Sequence, residues 1–61
     1  MNDKNDIINQ IIDLTANQVD RETAERMFDV MRADERIVWD DCKGLTICEN
    51  VDLFTVALEV E

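Results

Sequence analysis

Hydrophobic residues in the first quarter of the chain recur with the period of an α-helix. Five of them form one apolar stripe when they are placed on a helix: Ile7, Ile8, Ile11, Ile12 and Leu14. Asp3 or Asn5 can cap the start of this helix by accepting hydrogen bonds from free backbone N–H groups. Asn17 can end it, because Asn tolerates the left-handed backbone that closes helices. The pattern predicts a first helix that ends near Asn17.

A second helical pattern follows at about residues 20–33. Asp20 is a suitable N-cap, and Glu22 lies in the first turn, where the helix dipole favours negative charge. The apolar residues of this segment recur at helical spacing: Ala24, Met27, Phe28 and Met31. We expect this stripe to be buried in the core. The alternative is a soft docking surface for a partner helix, because Met side chains adapt to many shapes.

The pattern changes after Glu35 to residues that favour strands. Ile37, Val38 and Trp39 precede a run of turn formers that includes the only Gly of the chain, Gly44. The sequence predicts strands at 36–40 and 45–49, joined by a loop of about four residues into a hairpin.

The C-terminal segment, residues 51–61, fits two patterns. As a strand it alternates apolar and polar side chains, and its β-branched residues favour this interpretation. As a helix capped by Asn50 or Asp52, it places Leu53, Phe54, Ala57 and Leu58 on one stripe. The strand interpretation is preferred, since a third strand supports a marginal hairpin. The predicted fold is α+β, with two N-terminal helices packed on a three-stranded antiparallel sheet in one small domain, 1–61. The alternative is all-α.

The chain is strongly acidic, with 15 Asp and Glu against 6 Lys and Arg, for a net charge of −9. No basic residue follows Lys43. Such a charge repels nucleic acids and anionic membranes and attracts basic surfaces. We therefore expect a protein partner with a basic surface, without direct binding to nucleic acid or to membranes.

Residues for common catalytic chemistry are missing from the sequence. It contains no His and no Ser, and it lacks a Gly-rich phosphate loop. The spacing of Cys42 and Cys48 does not match the C-x-x-C motif of redox or zinc sites, and two thiols without His do not complete a zinc site. We expect no enzymatic activity, no cofactor and no metal. The polar, charged start, which lacks a signal-peptide pattern, predicts a cytoplasmic protein.

The short chain has consequences for its assembly. A chain of 61 residues supports only a small core, so we expect a homodimer to add buried surface. Trp39 either anchors an interface or covers the sheet.

Carboxylates at regular spacing suggest how a partner is bound. Asp6 and Asp13 are one heptad apart, about 10 Å along a helix. In the strand interpretation, Glu59 and Glu61 share a face about 6.6 Å apart. In size, charge and lack of catalytic residues, the chain resembles small phage and mobile-element proteins that inhibit nucleic-acid-handling enzymes, some as nucleic-acid mimics. The predicted partner-binding residues are Asp6, Asp13, Trp39, Asp40, Asp41, Glu49, Asp52, Glu59 and Glu61. The alternative is a dimerising regulatory module that recognises its partner through an apolar surface.

Overall fold

A computed structural model of the chain describes residues 2–60, and within them the fold is α+β. It contains three helices and a two-stranded antiparallel sheet. In chain order the elements are α1 (Lys4–Leu14), α2 (Arg21–Ala33), β1 (Ile37–Asp40), β2 (Gly44–Ile47) and α3 (Leu53–Val60). Within residues 2–60, every helix is too short or too polar to cross a membrane.

Helix α2 lies at the centre of the packing. It contacts α1 on one side and α3 on another, while β1 packs on α2 and β2 packs on α1. Its apolar stripe is buried, so the Met and Phe side chains belong to the core as expected. The largest fully buried side chains come from α1, α2 and α3: Ile7, Ile8, Ile11, Met27, Met31 and Val56.

The start of each helix is fixed by an aspartate. Asp3 and Asp6 form a capping box on α1, in which each side chain accepts a hydrogen bond of 3.0 Å from the other's backbone N–H. Asp20 caps α2 by accepting from the N–H of Thr23 at 2.7 Å. These side chains satisfy backbone donors that a helix cannot satisfy itself.

Helices α1 and α2 both end in a Schellman motif, in which two backbone N–H groups beyond the helix return to carbonyls of its last turn. The motif requires a left-handed residue, and here it is Ala16 (φ 54°) after α1 and Glu35 (φ 59°) after α2. Asn17 is also left-handed, at φ 61°, although α1 ends earlier than predicted, at Leu14. Asn17 therefore lies in the turn that closes α1, close to the predicted helix end.

The hairpin has a tighter turn than predicted. Its register pairs Asp40 with Gly44, which leaves residues 41–43 as a three-residue loop. Asp40 Oδ1 accepts from the N–H groups of Cys42 at 2.7 Å and Lys43 at 3.0 Å, and this Asx turn reverses the chain. Gly44 has φ 81°, a conformation that costs Gly nothing.

The preferred interpretation of residues 51–61 as a third strand is wrong, because Leu53–Val60 form α3. Asp52 starts this helix by accepting from the N–H groups of Phe54 at 3.1 Å and Thr55 at 3.3 Å. Leu53, Val56, Ala57 and Val60 face the core at the spacing i, i+3, i+4 and i+7. The stripe expected for a helix was also partly wrong, since Phe54 and Leu58 are exposed.

The N-terminal segment adds one sheet contact to the pairing between β1 and β2. Asn2 forms a parallel bridge with Gly44. Its N–H donates to the carbonyl of Lys43 at 2.7 Å, and its carbonyl accepts from the N–H of Leu45 at 2.9 Å. β2 is therefore paired on both sides near the turn, which brings the start of α1 next to the hairpin.

Substituting glycine at the left-handed positions should stabilise the fold. Ala16→Gly and Glu35→Gly each remove a Cβ from a conformation that disfavours it, and each should add about 0.5–1 kcal/mol after the extra entropy of the unfolded chain is counted. Thermal unfolding should shift upward by about 3–6 °C. The control is Glu25→Gly, which lies at an exposed position inside α2 and should lower the melting temperature. An unchanged or lower melting temperature for both left-handed variants would contradict this account of the helix ends.

The two phenylalanines provide a matched test of the core. Phe28 is 7% exposed, whereas Phe54 is 51% exposed. Phe28→Ala should lower the free energy of unfolding by about 3–5 kcal/mol. Phe54→Ala should change it by about 0.5 kcal/mol or less in the monomer, because most of the ring is already in water. Denaturant unfolding of both variants measures the difference, and equal losses would show that the packing described here is wrong.

Candidate functional site

The acidic side chains of the described residues all lie on the surface. Every carboxylate within residues 2–60 is exposed. Three of them lie within ion-pair distance of an arginine: Glu25 at 3.9 Å, Glu22 at 3.0 Å and Glu59 at 3.8 Å. Exposed pairs of this kind neutralise little of the surrounding field. Most of the negative charge is therefore available to an approaching molecule.

Asp6 and Asp13 lie on the face of α1 that points away from the core. Both are exposed, while Ile7, Ile8 and Ile11 are buried on the opposite side of the helix. Asp6 also belongs to the capping box, so it has a structural role in addition to its charge. Asp13 has no ion-pair partner among residues 2–60.

Two further residues of the predicted set, Asp40 and Asp52, hold turns. The pKa of Asp40 lies below its usual value chiefly because the backbone N–H of Cys42 donates to the carboxylate. The pKa of Asp52 is lowered mainly by the hydroxyl of Thr55, which donates to Oδ2 at 2.9 Å. Both carboxylates keep their charge to lower pH than a free aspartate does, and they are exposed.

The predicted partner-binding residues do not converge on one site. Trp39, Asp40 and Asp41 lie on the hairpin, and Asp6 and Asp13 lie along α1. Glu49 and Asp52 lie in the loop between β2 and α3, and Glu59 lies on α3. Glu59 lies on a helix, so its predicted strand face with Glu61 is wrong, and Glu61 itself lies outside the described residues.

An open cleft of about 400 Å³ brings Glu49 and Asp52 together with Glu35 and Arg36. Its walls are the segment after α2 and the loop between β2 and α3, with Cys48, Asn50, Val51 and Thr55 completing the lining. Both cysteines are free; Cys42 is exposed in the turn, and Cys48 is half-buried beside the cleft. Among the residues that the structure describes, no three Cys, Asp or Glu side chains are grouped as metal ligands.

Sequence analysis missed an apolar groove beside α3. It has a volume of about 270 Å³ and is lined by Gln18, Val19, Phe54, Ala57 and Leu58. Phe54 is 51% exposed and Leu58 is 73% exposed, and they lie one turn apart on the same side of the helix. A helix that is apolar over most of its circumference is normally covered on most of it. The available signal was the i, i+4 spacing of Phe54 and Leu58, which the strand interpretation placed on a sheet.

Acidic residues adjoin the lining of this groove in sequence. Gln18 is the only polar residue of its lining, and no Lys or Arg contributes to it. Asp20 follows Val19 in sequence, and Glu59 follows Leu58. An apolar depression with carboxylates close by can accept an apolar side chain whose neighbours are Lys or Arg.

A second exposed apolar surface lies on β1. Trp39 is 56% exposed and Val38 is 43% exposed. Trp39 and Ile37 point to the same side of the strand, and Ile37 is buried against the helices. Trp39 therefore extends past the edge of the core and covers the sheet only in part.

The comparisons with known proteins place the chain in no family. No protein-family model matches it, and no match was found among curated proteins or among solved structures. The functional argument therefore depends on the residues and on their arrangement.

The capping role of Asp52 predicts a pH dependence of stability. Because the folded-state pKa of Asp52 lies below the ordinary value of 3.8, ionised Asp52 stabilises the fold above that value, and the effect is lost as the pH falls through the lowered pKa. Wild type should exceed Asp52→Asn in stability at neutral pH, and the difference should shrink below about pH 5 and vanish in stronger acid. Thermal unfolding followed by circular dichroism at several pH values measures it. Asp41→Asn removes an equal charge from the hairpin turn, and a similar pH-dependent difference for that control would contradict the assignment.

Proposed function

We propose that the chain is a small, non-enzymatic interaction protein that binds a partner protein with a basic, nucleic-acid-handling surface. The observation that carries the proposal is the uncovered side of α3. There an apolar groove is lined without a basic residue, and Asp20 and Glu59 each follow one of its lining residues in sequence. The partner inserts an apolar side chain into the groove, and its neighbouring Lys or Arg side chains meet the carboxylates.

The apolar part of the contact supplies affinity. Aromatic and large aliphatic side chains in small pockets dominate the energy of most protein interfaces. Phe54 and Leu58 have half or more of their surface in water, although they belong to a helix whose other side is buried. Exposed apolar area that is concentrated in one groove is typical of an interaction site rather than of a general surface.

The negative charge determines which partners bind and how fast they associate. A net charge of −9 on 61 residues attracts basic surfaces and accelerates their association at low salt. Proteins that handle nucleic acids carry such surfaces to bind phosphates. A protein that occupies this surface competes with the nucleic acid, which would make the chain an inhibitor. Asp6 and Asp13 extend the acidic surface along α1.

The second candidate function is a regulatory module whose recognition is mainly apolar. The groove favours it, because four of its five lining residues are apolar. Salt separates the two candidates, since charge-led binding weakens steeply as screening increases, whereas apolar binding does not.

A pull-down from bacterial lysate with matched variants tests the proposal. Phe54→Gln/Leu58→Gln makes the groove polar without altering the net charge. Leu14→Gln/Ala33→Gln makes the same kind of change at two exposed apolar positions outside the groove lining. At about physiological salt, wild type and the control should retain the same basic proteins, and the groove variant should lose at least about tenfold in affinity for them, or about 1.4 kcal/mol.

Charge neutralisation and competition complete this test. Asp6→Asn/Asp13→Asn should slow association with the identified partner at low salt and have little effect at high salt. Added DNA or RNA should displace the chain if it acts as a nucleic-acid mimic. Equal retention by the groove variant and its control would reject the α3 groove as the binding site. Binding that is unchanged by salt would instead favour the regulatory module.

A further inference from the structure

The outer edge of β1 is open. The ladder between the two strands continues to Cys48, whose N–H donates to the carbonyl of Arg36 at 2.9 Å. Hydrogen-bonded pairs alternate in an antiparallel ladder, so Val38 also points its backbone groups at β2. The N–H and C=O groups of Ile37 and Trp39 therefore point away from β2. Within residues 2–60, no hydrogen bond from outside the hairpin reaches them.

This edge lacks most features that prevent strands from pairing with other chains. Between Ile37 and Asp40 there is no Pro, no Lys and no bulge, and the exposed side chains of the strand include Val38 and Trp39. β2, in contrast, is paired with β1 on one side and with Asn2 near the turn on the other. Asn2 covers the outer edge of β2 only near the turn, and the outer edge of β1 is the more open of the two, so it can accept another strand.

The sequence of β1 is complementary to itself. If two copies pair antiparallel with Val38 opposite Val38 of the second copy, Ile37 of each lies opposite Trp39 of the other. Ile37 and Trp39, whose backbone groups point away from β2, then form hydrogen-bonded pairs with Trp39 and Ile37 of the second copy. These pairs give about four backbone hydrogen bonds. In the same register Arg36 lies opposite Asp40 of the second copy, so each end of the strand pair carries opposite charges.

The side chains agree with this register. Arg36 has an exposed side chain whose ion pair with Glu59 is loose, at 3.8 Å, so the guanidinium can also reach a carboxylate of another chain. Only one carboxylate oxygen of Asp40, Oδ1, accepts the turn hydrogen bonds, which leaves Oδ2 for this contact. Trp39 would lie across from Ile37 of the second copy, on the side of the sheet that faces the helices.

We propose that a second copy of this chain binds at the β1 edge, so that two hairpins form one four-stranded antiparallel sheet centred on Val38. This interface is separate from the α3 groove and leaves that groove open in both copies. The two surfaces respond to salt in opposite directions. Added salt screens the repulsion between two chains of charge −9 and strengthens self-association, whereas it weakens binding to a basic partner.

Charge complementation at position 38 tests the register. Val38 is exposed in the monomer, so Val38→Lys and Val38→Glu should both fold. Each places like charges directly opposite one another and should weaken self-association by about tenfold or more, although the two substitutions change the net charge in opposite directions. An equimolar mixture should associate as a heterodimer, because the lysine of one chain then faces the glutamate of the other. Sedimentation equilibrium from micromolar to millimolar concentration measures all three samples and the wild type.

Hydrogen exchange on the wild type provides a test without substitutions. The amides of Ile37 and Trp39 should gain protection as concentration increases, while the amide of Val38, already bonded to β2, should change little. A wild type that stays monomeric throughout the range would overturn the proposal. So would either single variant associating as strongly as wild type, or a mixture that associates no better than its components.

Discussion

The burial of one face of α2 is the contact on which the rest of the structure depends. α1 and α3 pack on it from different sides, and β1 packs against it as well. A chain this short offers few other ways to build a core, because its ratio of surface to volume is high. Ala24, Met27, Phe28 and Met31 are all buried in the hydrophobic core. The remaining elements are positioned by how they reach this face.

The connections between elements are built largely from acidic residues. Asp3, Asp20 and Asp52 start the three helices, and Asp40 closes the hairpin. A carboxylate suits these positions because it accepts hydrogen bonds from unpaired N–H groups and interacts well with the positive end of a helix. Part of the unusual acidity therefore has a structural explanation. The carboxylates remain exposed, however, so the same residues also contribute to the field that a partner meets.

The sequence allowed α1, α2 and the hairpin to be predicted because each has a local signal. Asp20 precedes a regular apolar stripe, and Gly44 follows a run of turn residues. The prediction for the C-terminal segment failed because its β-branched residues and its alternation of apolar and polar residues favour a strand, while packing against α2 favours a helix. Tertiary contacts decide such cases, and α3 buries Leu53, Val56 and Ala57 only as a helix. The same error hid the groove, since Phe54 and Leu58 were assigned to a strand.

The two candidate surfaces lie on different elements of the fold. α3 packs one side against α2, while the side that carries Phe54 and Leu58 is exposed. Among residues 2–60, β1 has a partner strand on one edge and no further strand on the other. The groove has no basic residue in its lining, whereas the strand edge is flanked by Arg36 and ends at Asp40. A basic partner suits the groove, and a second copy of this acidic chain suits the strand edge. The negative charge of the chain attracts the basic partner to the groove and repels a second copy from it.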